Sequence, residues 1–137
     1  MVVLHCHSEI AVWAQRAYPL EVVGLLVGRR VADTWDVHTL VTAINLATTP
    51  ETQFILDPAT WFLAEQTAVQ AGMSIVGIIH SHPDAPARPS SRDSASGDSL
   101  GRDLIFLIIS TTKIGVKDLT AWQWDSRQYQ EIDVQWT

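Results

Sequence analysis

Residues 75–93 read Ile75-Val-Gly77-Ile-Ile-His80-Ser-His82-Pro83-Asp-Ala-Pro-Ala-Arg-Pro-Ser90-Ser-Arg-Asp93. The apolar run over 75–79 predicts a buried strand that leads directly into His80 and His82. Pro83 predicts the end of this strand, because proline donates no backbone hydrogen bond to a neighbouring strand. Residues two apart on an extended backbone point to the same side, with Cα atoms roughly 6–7 Å apart. Both imidazoles are therefore predicted to face the same way at the end of a strand.

The spacing of these two histidines suits a tetrahedral zinc ion. With Zn–N bonds of about 2.0–2.1 Å, two coordinating nitrogens need to lie roughly 3.3 Å apart. Two rings that lean towards each other reach this distance. Asp93 lies within loop reach as a third ligand, which leaves one coordination position for water. That arrangement is typical of a catalytic rather than a structural zinc site.

Structural interpretations of the same residues stay open at this point. A pair of histidines in a loop is more often structural than metal-binding. Ser90 and Asp93 also have the spacing of a helix capping box, in which a serine caps the first turn and an acid three residues later returns the hydrogen bond. The metal interpretation depends on both pairs occurring together at the end of a buried strand, where loops positioned by a rigid scaffold commonly carry function.

The composition is that of a globular protein with an acidic surface. The chain has 137 residues, and 47% of them are hydrophobic. This length predicts a single domain over 1–137, and the apolar fraction is sufficient for a core. Nine Lys and Arg residues against 15 Asp and Glu residues give a net charge of −6. An acidic chain is a poor partner for the phosphate backbone, so nucleic acid is not the expected partner.

Cys6 is the single cysteine of the chain. It cannot form an intrachain disulfide, and a cysteine-rich zinc site is excluded. Residues 1–7 lack the basic region and long apolar region of a signal peptide. No apolar run approaches the roughly 18 residues of a membrane span. The sequence therefore predicts a cytoplasmic protein with no membrane partner, and it leaves the oligomeric state open.

The periodicity of apolar residues predicts two main helices. The first is predicted at 8–18, with Ser8 as its N-cap and Pro19 after its last residue. The second is predicted at 58–71, with Asp57 as its N-cap, Pro58 at the first helical position and Gly72 after its end. The predicted apolar face of the second helix contains Trp61, Phe62, Ala68 and Val69.

Strands are predicted at 22–29, 35–46, 53–56, 74–79, 103–110, 119–124 and 129–135, the last two as an antiparallel pair. Because two of these strands are apolar throughout, helices are expected on both faces of the sheet. Glu21 lies at the mouth of the first strand, either as a solvated carboxylate or as a functional group. A short helix is predicted after Ser90. His5 and His7 are interpreted as exposed N-terminal residues, since no third ligand follows them at a suitable distance.

The order and spacing of His80, His82, Ser90 and Asp93 resemble the JAMM motif of the MPN-domain zinc metalloproteases. That motif is His-x-His, seven residues, Ser, two residues and Asp, and every spacing fits. The segment 19–28 resembles the one that carries the family's catalytic glutamate. Other residues that fall in segments typical of the family are Asn45, Phe54, Asp57 and Gly77. The resemblance covers nearly the whole chain and is to the compact prokaryotic form.

This resemblance implies a fold, a cofactor and roles for the site residues. The implied fold is a single α/β domain with a mixed, mostly antiparallel central sheet flanked by helices, the MPN architecture that is similar to cytidine deaminases. One Zn²⁺ per chain would be held by His80, His82 and Asp93. Glu21 would be the general base on the attacking water, and Ser90 would steady the oxyanion of the tetrahedral intermediate.

The resemblance also implies a substrate class. Eukaryotic deubiquitinating members carry insertions that clamp ubiquitin, and the chain after Asp93 leaves little room for them. The substrates implied for the compact prokaryotic form are small ubiquitin-like proteins, such as sulfur carriers that end in Gly-Gly, joined to an amino acid or peptide by an amide bond. Val23 stands where the family often has a small residue or cysteine, and we expect this change to be neutral.

Three other interpretations stand beside the peptidase. A non-catalytic MPN scaffold that only binds a protein partner lacks the metal ligands, which are all present here. A DNA-repair-associated branch has a similar His-x-His-Pro site, but the acidic charge argues against it. A zinc deaminase of similar architecture needs a Pro-Cys-x-x-Cys pair, which a chain with one cysteine lacks.

Overall fold

The computed structural model describes residues 1–45, 56–91, 93 and 103–137. The helices and strands whose bounds lie in these ranges are, in chain order, β1 (Val2–Leu4), α1 (His7–Ala17), β2 (Val23–Val31), β3 (Thr34–Thr42), α2 (Pro58–Gln70), β4 (Ser74–Pro83), β5 (Ile105–Thr112), β6 (Gly115–Trp124), β7 (Tyr129–Ile132) and β8 (Val134–Trp136). In these parts of the chain, no helix is both long and apolar enough to cross a membrane.

The eight strands form one sheet in the order β7-β6-β5-β4-β2-β3-β1-β8. The pairs β4–β5, β1–β3 and β1–β8 are parallel, and the other four pairs are antiparallel. This confirms the predicted mixed, mostly antiparallel sheet. The strands β7 and β8 lie at opposite edges although only Asp133 separates them in sequence. The sheet must therefore curve strongly enough to bring its two edges together.

Two clusters of buried apolar side chains form the core, and each helix packs on a different one. The helix α1 contributes Ile10 and Ala14 to the first cluster, and α2 contributes Ala64 to the second. The central strand β5 is buried along Ile105–Ile109 and supplies residues to both clusters. Burial on both sides explains why its sequence is continuously apolar instead of alternating.

Close packing between β4 and β5 requires glycine at Gly77. A Cβ atom there would lie 2.6 Å from both Cγ1 and the carbonyl oxygen of Ile105. Side-chain and backbone atoms do not approach this closely without a shift of the strand. Gly77 therefore lets β5 lie directly against the strand that carries the two histidines.

The two predicted helices are confirmed, with a correction at the start of α1. Its N-cap is Cys6 and no side chain caps it, so Ser8 lies within the first turn and was wrongly interpreted as the cap. At the start of α2, the Asp57 carboxylate accepts a hydrogen bond from the Ala59 N–H at 3.0 Å, and Pro58 is the first helical residue. Gly72 follows the helix with φ +68°, as expected for a glycine stop.

The predicted apolar face of α2 is partly wrong. Ala68 is buried and Trp61 packs against the second core cluster, but Phe62 is 62% exposed and Val69 is 77% exposed. The buried helix positions are Ala64 and Ala68, four residues apart. Small residues at these positions bring the helix close to the sheet, and the larger apolar side chains beside them face solvent.

The main error in the predicted strands lies at the C-terminal end of the chain. The predicted strand 129–135 is two strands, because the chain leaves β6 after Ile132 and β8 pairs in parallel with β1 instead. The strand β1 was not predicted. Phe54, the segment 53–55 and the segment after Asp93 lie outside the described residues. The single domain over 1–137 stays a prediction.

Candidate metal centre

The strand β4 carries His80 and His82 inside the sheet and not in a loop. It is paired with β2 on one side and with β5 on the other, and it ends at Pro83 as predicted. His80 is 2% exposed and His82 is 9% exposed. The alternative interpretation was a pair of structural histidines in a loop. It does not describe these residues, because neighbouring strands fix the backbone of β4 on both sides.

The side chains of His80, His82 and Asp93 meet at one point. The two Nε2 atoms are 3.0 Å apart. Asp93 Oδ1 lies 3.2 Å from His80 Nε2, and Asp93 Oδ2 lies 3.3 Å from His82 Nε2. Ligand atoms on a tetrahedral zinc are separated by roughly 3.3 Å. The three donor groups therefore already have about the separation that a shared zinc ion requires.

A hydrogen bond outside this group fixes the orientation of His82. Its Nδ1 lies 2.8 Å from the carbonyl oxygen of Pro86, which can only accept a hydrogen bond. Nδ1 therefore carries a proton, and in the neutral ring the lone pair is on Nε2, which faces His80 and Asp93. A backbone carbonyl that holds the other nitrogen of a metal-binding histidine is a common outer partner in metal sites.

Asp93 and Ser90 form a capping box in addition to any role at the centre. The Ser90 N–H donates to Asp93 Oδ2 at 2.6 Å, and the Asp93 N–H donates to Ser90 Oγ at 3.4 Å. The hydroxyl of Tyr129 on β7 also donates to the carbonyl oxygen of Asp93. These contacts hold the aspartate from two directions, and they use one oxygen that also faces His82.

Glu21 lies two residues before the first residue of β2, and its side chain reaches the two histidines. It is 6% exposed, and its carboxylate and the ligand atoms of His80 and His82 lie within 4.8 Å of one another. The side-chain amide of Asn45 donates to the carbonyl oxygen of Glu21 at 2.9 Å. The buried position excludes the solvated turn carboxylate that the sequence left open.

Val22, which lies between Glu21 and β2, is hydrogen-bonded to Ser81, the residue between the two histidines. The Val22 N–H donates to Ser81 Oγ at 3.0 Å, and the Ser81 N–H donates to the carbonyl oxygen of Val22 at 3.0 Å. Ser81 is fully buried. These two bonds link the backbone beside the glutamate to the backbone between the histidines.

Burial and hydrogen bonding act in opposite directions on the charges of the centre. Burial lowers the pKa of His80, against the effect of its contact with Asp93. Burial also opposes charge on His82, but hydrogen bonds to Asp93 and to Pro86 raise its pKa overall. Burial opposes ionisation of Asp93, yet its hydrogen bonds with the two histidines hold the pKa of this carboxyl well below its usual range.

The donor set fits a divalent cation. Two imidazoles and two carboxylates converge in a space where each residue is less than a tenth exposed. Buried carboxylates are costly unless a positive charge faces them, and nitrogen together with oxygen donors is the usual zinc environment. If three of these groups held the cation, the fourth would lie beside an open coordination position of that cation.

A groove of about 640 Å³ runs beside the loop that follows β4. Its walls come from the segment 84–88 and from residues of β5, β6 and β7. The segment is anchored to β6, because Thr120 Oγ1 donates to the carbonyl oxygen of Ala87 at 2.6 Å. Since Pro86 both lines the groove and holds His82, the groove and the metal centre share a wall.

Three positioning residues were missed by the sequence reasoning: Ser81, Pro86 and Tyr129. Ser81 and Pro86 lie within the stretch from His80 to Asp93. The signal for Ser81 was its position as a polar residue between two histidines at the end of a strand predicted to be buried. Tyr129 is separated from Asp93 by 36 residues. No local pattern connects them, because the contact depends on where β7 lies in the sheet.

Residues 4–125 match the model of a family described as prokaryotic homologs of the JAB domain. The match includes the histidine strand, Glu21 and Asp93. The chain belongs to the prokaryotic JAB-domain family. This confirms the resemblance to the compact prokaryotic MPN proteins and the fold that it implied.

Two curated relatives are similar over part of the chain. A probable TtuB-protein conjugate cleaving protease of Thermus thermophilus is 37% identical over 78 residues, which are 57% of this chain and 49% of that protein. The desampylase of Haloferax volcanii is 30% identical over 116 residues, which are 85% of this chain and 78% of that protein. The aligned part thus spans about half the length of the Thermus protein.

Solved structures share the fold. A protein from Desulfitobacterium hafniense has a TM-score of 0.87 with 28% identity, over 100% of this chain and 93% of that one. A JAB1/MPN domain protein from Archaeoglobus fulgidus has a TM-score of 0.61 with 20% identity, over 99% of this chain and 95% of that one. At 20% identity, the second similarity concerns the fold alone.

Proposed function

We propose that the protein is a zinc-dependent peptidase or isopeptidase that hydrolyses the amide bond at the C-terminus of a ubiquitin-like protein in a conjugate. One observation carries the proposal: Glu21 reaches the buried point where His80, His82 and Asp93 converge at zinc-ligand separations. Membership of the JAB family supports the substrate class, as do the names of the two relatives, a probable TtuB-protein conjugate cleaving protease and a desampylase.

In this proposal His80, His82 and Asp93 hold one Zn²⁺ per chain. Zinc, when bound at such a site, lowers the pKa of a coordinated water to about 7 and polarises a carbonyl. The residues prepare the site: Pro86 keeps the His82 lone pair on Nε2, and the capping box with Ser90 keeps the Asp93 carboxylate against both imidazoles. Burial excludes bulk water, which strengthens each of these interactions.

Glu21 is proposed as the general base. Its carboxylate lies within 4.8 Å of both histidine donor atoms, so it can take a proton from a water molecule placed at the open position and later deliver it to the leaving amine. The backbone of Glu21 is held in place on both sides. The Asn45 amide donates to the carbonyl oxygen of Glu21, and the N–H of the next residue, Val22, donates to Ser81 Oγ. General-base catalysis by a positioned carboxylate contributes roughly 10²–10⁴ in rate.

Ser90 is proposed to stabilise the oxyanion of the tetrahedral intermediate. Its Oγ accepts a hydrogen bond from the Asp93 N–H at 3.4 Å. A hydroxyl that accepts one bond retains its own proton for donation, so the capping role and the catalytic role are compatible. A single oxyanion donor of this kind is worth about 3–4 kcal/mol of transition-state stabilisation.

The groove beside the metal centre is proposed to receive the extended C-terminal tail of the substrate. The two glycines that end such a tail have no side chains, so this part of the tail can lie close to the protein backbone. Arg88 and Lys117 line the groove and can pair with the carbonyl oxygens or acidic groups of such a segment. We also propose a cytoplasmic location, which a free thiol at Cys6 fits.

The experiment that tests this proposal combines zinc counting with cleavage of a defined conjugate. The purified protein should contain one tightly bound zinc by elemental analysis, and it should cleave an amide-linked conjugate of a Gly-Gly-ended ubiquitin-like protein, followed by intact mass. His80→Ala and Asp93→Ala should lose both zinc and cleavage, because three protein ligands become two. Cys6→Ser is the control and should retain both. Full zinc occupancy in both ligand variants would contradict the assignment.

A further inference from the structure

A second group of side chains that could bind a metal lies on β3 and directly after the end of β1. His5 Nε2 is 2.6 Å from Asp36 Oδ1, and His38 Nε2 is 2.9 Å from Asp36 Oδ2. The ligand atoms of the three residues lie within 4.8 Å of one another. We propose that His5, Asp36 and His38 form a second, outer metal site that takes Zn²⁺ or a similar late first-row divalent cation. The three residues are called the outer triad below.

The sheet places two members of the outer triad on β3 and the third directly after the adjacent strand β1. Asp36 and His38 are two residues apart on β3, so their side chains point to the same side. β1 is parallel to β3 with Leu4 opposite Val37, and the His5 N–H continues the pairing by donating to the carbonyl oxygen of Val37 at 2.9 Å. Two ligands lie on β3 and the third is held against β3 by its own backbone hydrogen bond, so the backbone geometry is set before a metal binds.

The rings must move a little to bind an ion. The imidazoles of His5 and His38 are stacked, with centroids 4.4 Å apart and planes within 15°. A metal lies close to the plane of each ring that coordinates it, and two parallel planes at this spacing share no such point. At least one ring must therefore turn about its side-chain bonds. The side chains are 35%, 31% and 34% exposed for His5, His38 and Asp36, which leaves room for this rotation.

The chemistry of the donors selects the class of ion. Two imidazoles and one carboxylate suit Zn²⁺ and its neighbours in the first transition row, whereas Mg²⁺ and Ca²⁺ favour oxygen ligands throughout. Thr137 Oγ1 lies 3.0 Å from His5 Nδ1 and supplies an outer partner that orients this ring.

A metal in the outer triad would join β1 to β3 through side chains. β1 also pairs with β8, so the ion would strengthen the edge of the sheet where both chain ends lie. The side chains of the outer triad are about a third exposed, whereas those of the proposed catalytic centre are buried. We therefore expect the outer site to bind zinc more weakly than the catalytic centre does. The two sites are then separable by titration and by mutation.

The test titrates metal-stripped protein with Zn²⁺ alone and measures bound zinc per chain by equilibrium dialysis. Asp36→Asn and His38→Ala should each bind one zinc fewer than the unmodified protein at saturation. His7→Ala is the matched control, since this nearby histidine stacks on Trp136 and is not in the outer triad, and it should bind as the unmodified protein does. In a His80→Ala background, Zn²⁺ should raise the thermal midpoint, and adding His38→Ala should abolish the rise.

The outcomes are distinguishable from those for the catalytic centre. Equal saturation of Asp36→Asn, His38→Ala and unmodified protein would overturn the outer site, whatever the peptidase assay gives. Loss of one zinc in both variants with cleavage retained would support it. If His38→Ala fails to fold, the zinc content of Asp36→Asn at saturation decides whether the outer site exists. The asparagine amide keeps the size of the side chain and removes its charge.

Discussion

Val22 and Ser81 are joined by two hydrogen bonds, one in each direction, both 3.0 Å long. Val22 follows Glu21, and Ser81 lies between His80 and His82. The pair therefore connects the proposed base to the proposed metal ligands through one peptide unit on each side. We expect this contact to influence how far the carboxylate of Glu21 lies from the two histidines.

The first prediction concerns the side chain of Ser81. Ser81→Ala removes the acceptor of the Val22 N–H and leaves that donor without its partner in a partly buried position. We expect a loss of about 1–3 kcal/mol in the free energy of unfolding, unchanged zinc content and a lower kcat. Ser74→Ala, at the exposed start of β4, is the control and should change neither. A normal kcat in Ser81→Ala would mean that the bond from Val22 to the Ser81 hydroxyl does not position the base.

The second prediction separates the two roles of Ser90. Ser90→Ala should retain zinc but reduce kcat by about 10²–10³, because an oxyanion donor is lost. The cap on the first turn is lost as well, which should lower the free energy of unfolding by roughly 1 kcal/mol. Steady-state kinetics with urea unfolding measures both quantities. A destabilised variant with an unchanged kcat would assign Ser90 to capping alone.

The third prediction concerns the reactivity of Cys6. Burial, with a smaller contribution from Glu9, raises the pKa of this thiol to about 11, and the residue is 3% exposed. The thiolate is the reactive form, so the native thiol should react very slowly with a disulfide reagent at pH 8 and rapidly in urea. Its protonated form is favoured in the folded state, so this contribution to stability is lost as the pH rises through the range from about 9 to 11. Fast native-state labelling would place Cys6 outside the core.

The sequence predicted the convergence of His80, His82 and Asp93 better than the contacts that support it. His80, His82 and Asp93 lie in one short stretch, and their spacing reflects the strand end and the turn that follow them. The contact between Ser81 and Val22 depends on the pairing of β4 with β2, which no local pattern encodes. The same limitation explains the failed prediction at 129–135, because β8 finds its partner in β1 at the other end of the chain.

The helix α2 shows a second limit of the sequence pattern. Phe62 and Val69 have an apolar character that favours burial, yet the close approach of the helix through Ala64 and Ala68 leaves them exposed. The outer triad was missed for a similar reason. His5 and His38 are distant in sequence and become neighbours only because β1 pairs in parallel with β3.

The measurement that tests the central claim most directly is the cleavage rate of Glu21→Gln. Glutamine keeps the shape of the side chain but cannot accept a proton, so zinc content and the thermal midpoint should stay close to those of the unmodified protein. Cleavage of a Gly-Gly-ended ubiquitin-like conjugate should fall by at least the roughly 10²–10⁴-fold expected for losing a general base, and conjugate binding should survive. Glu9→Gln, at an exposed site on α1, is the control and should cleave normally. Cleavage by Glu21→Gln at close to the unmodified rate would contradict the proposed mechanism, whatever its zinc content.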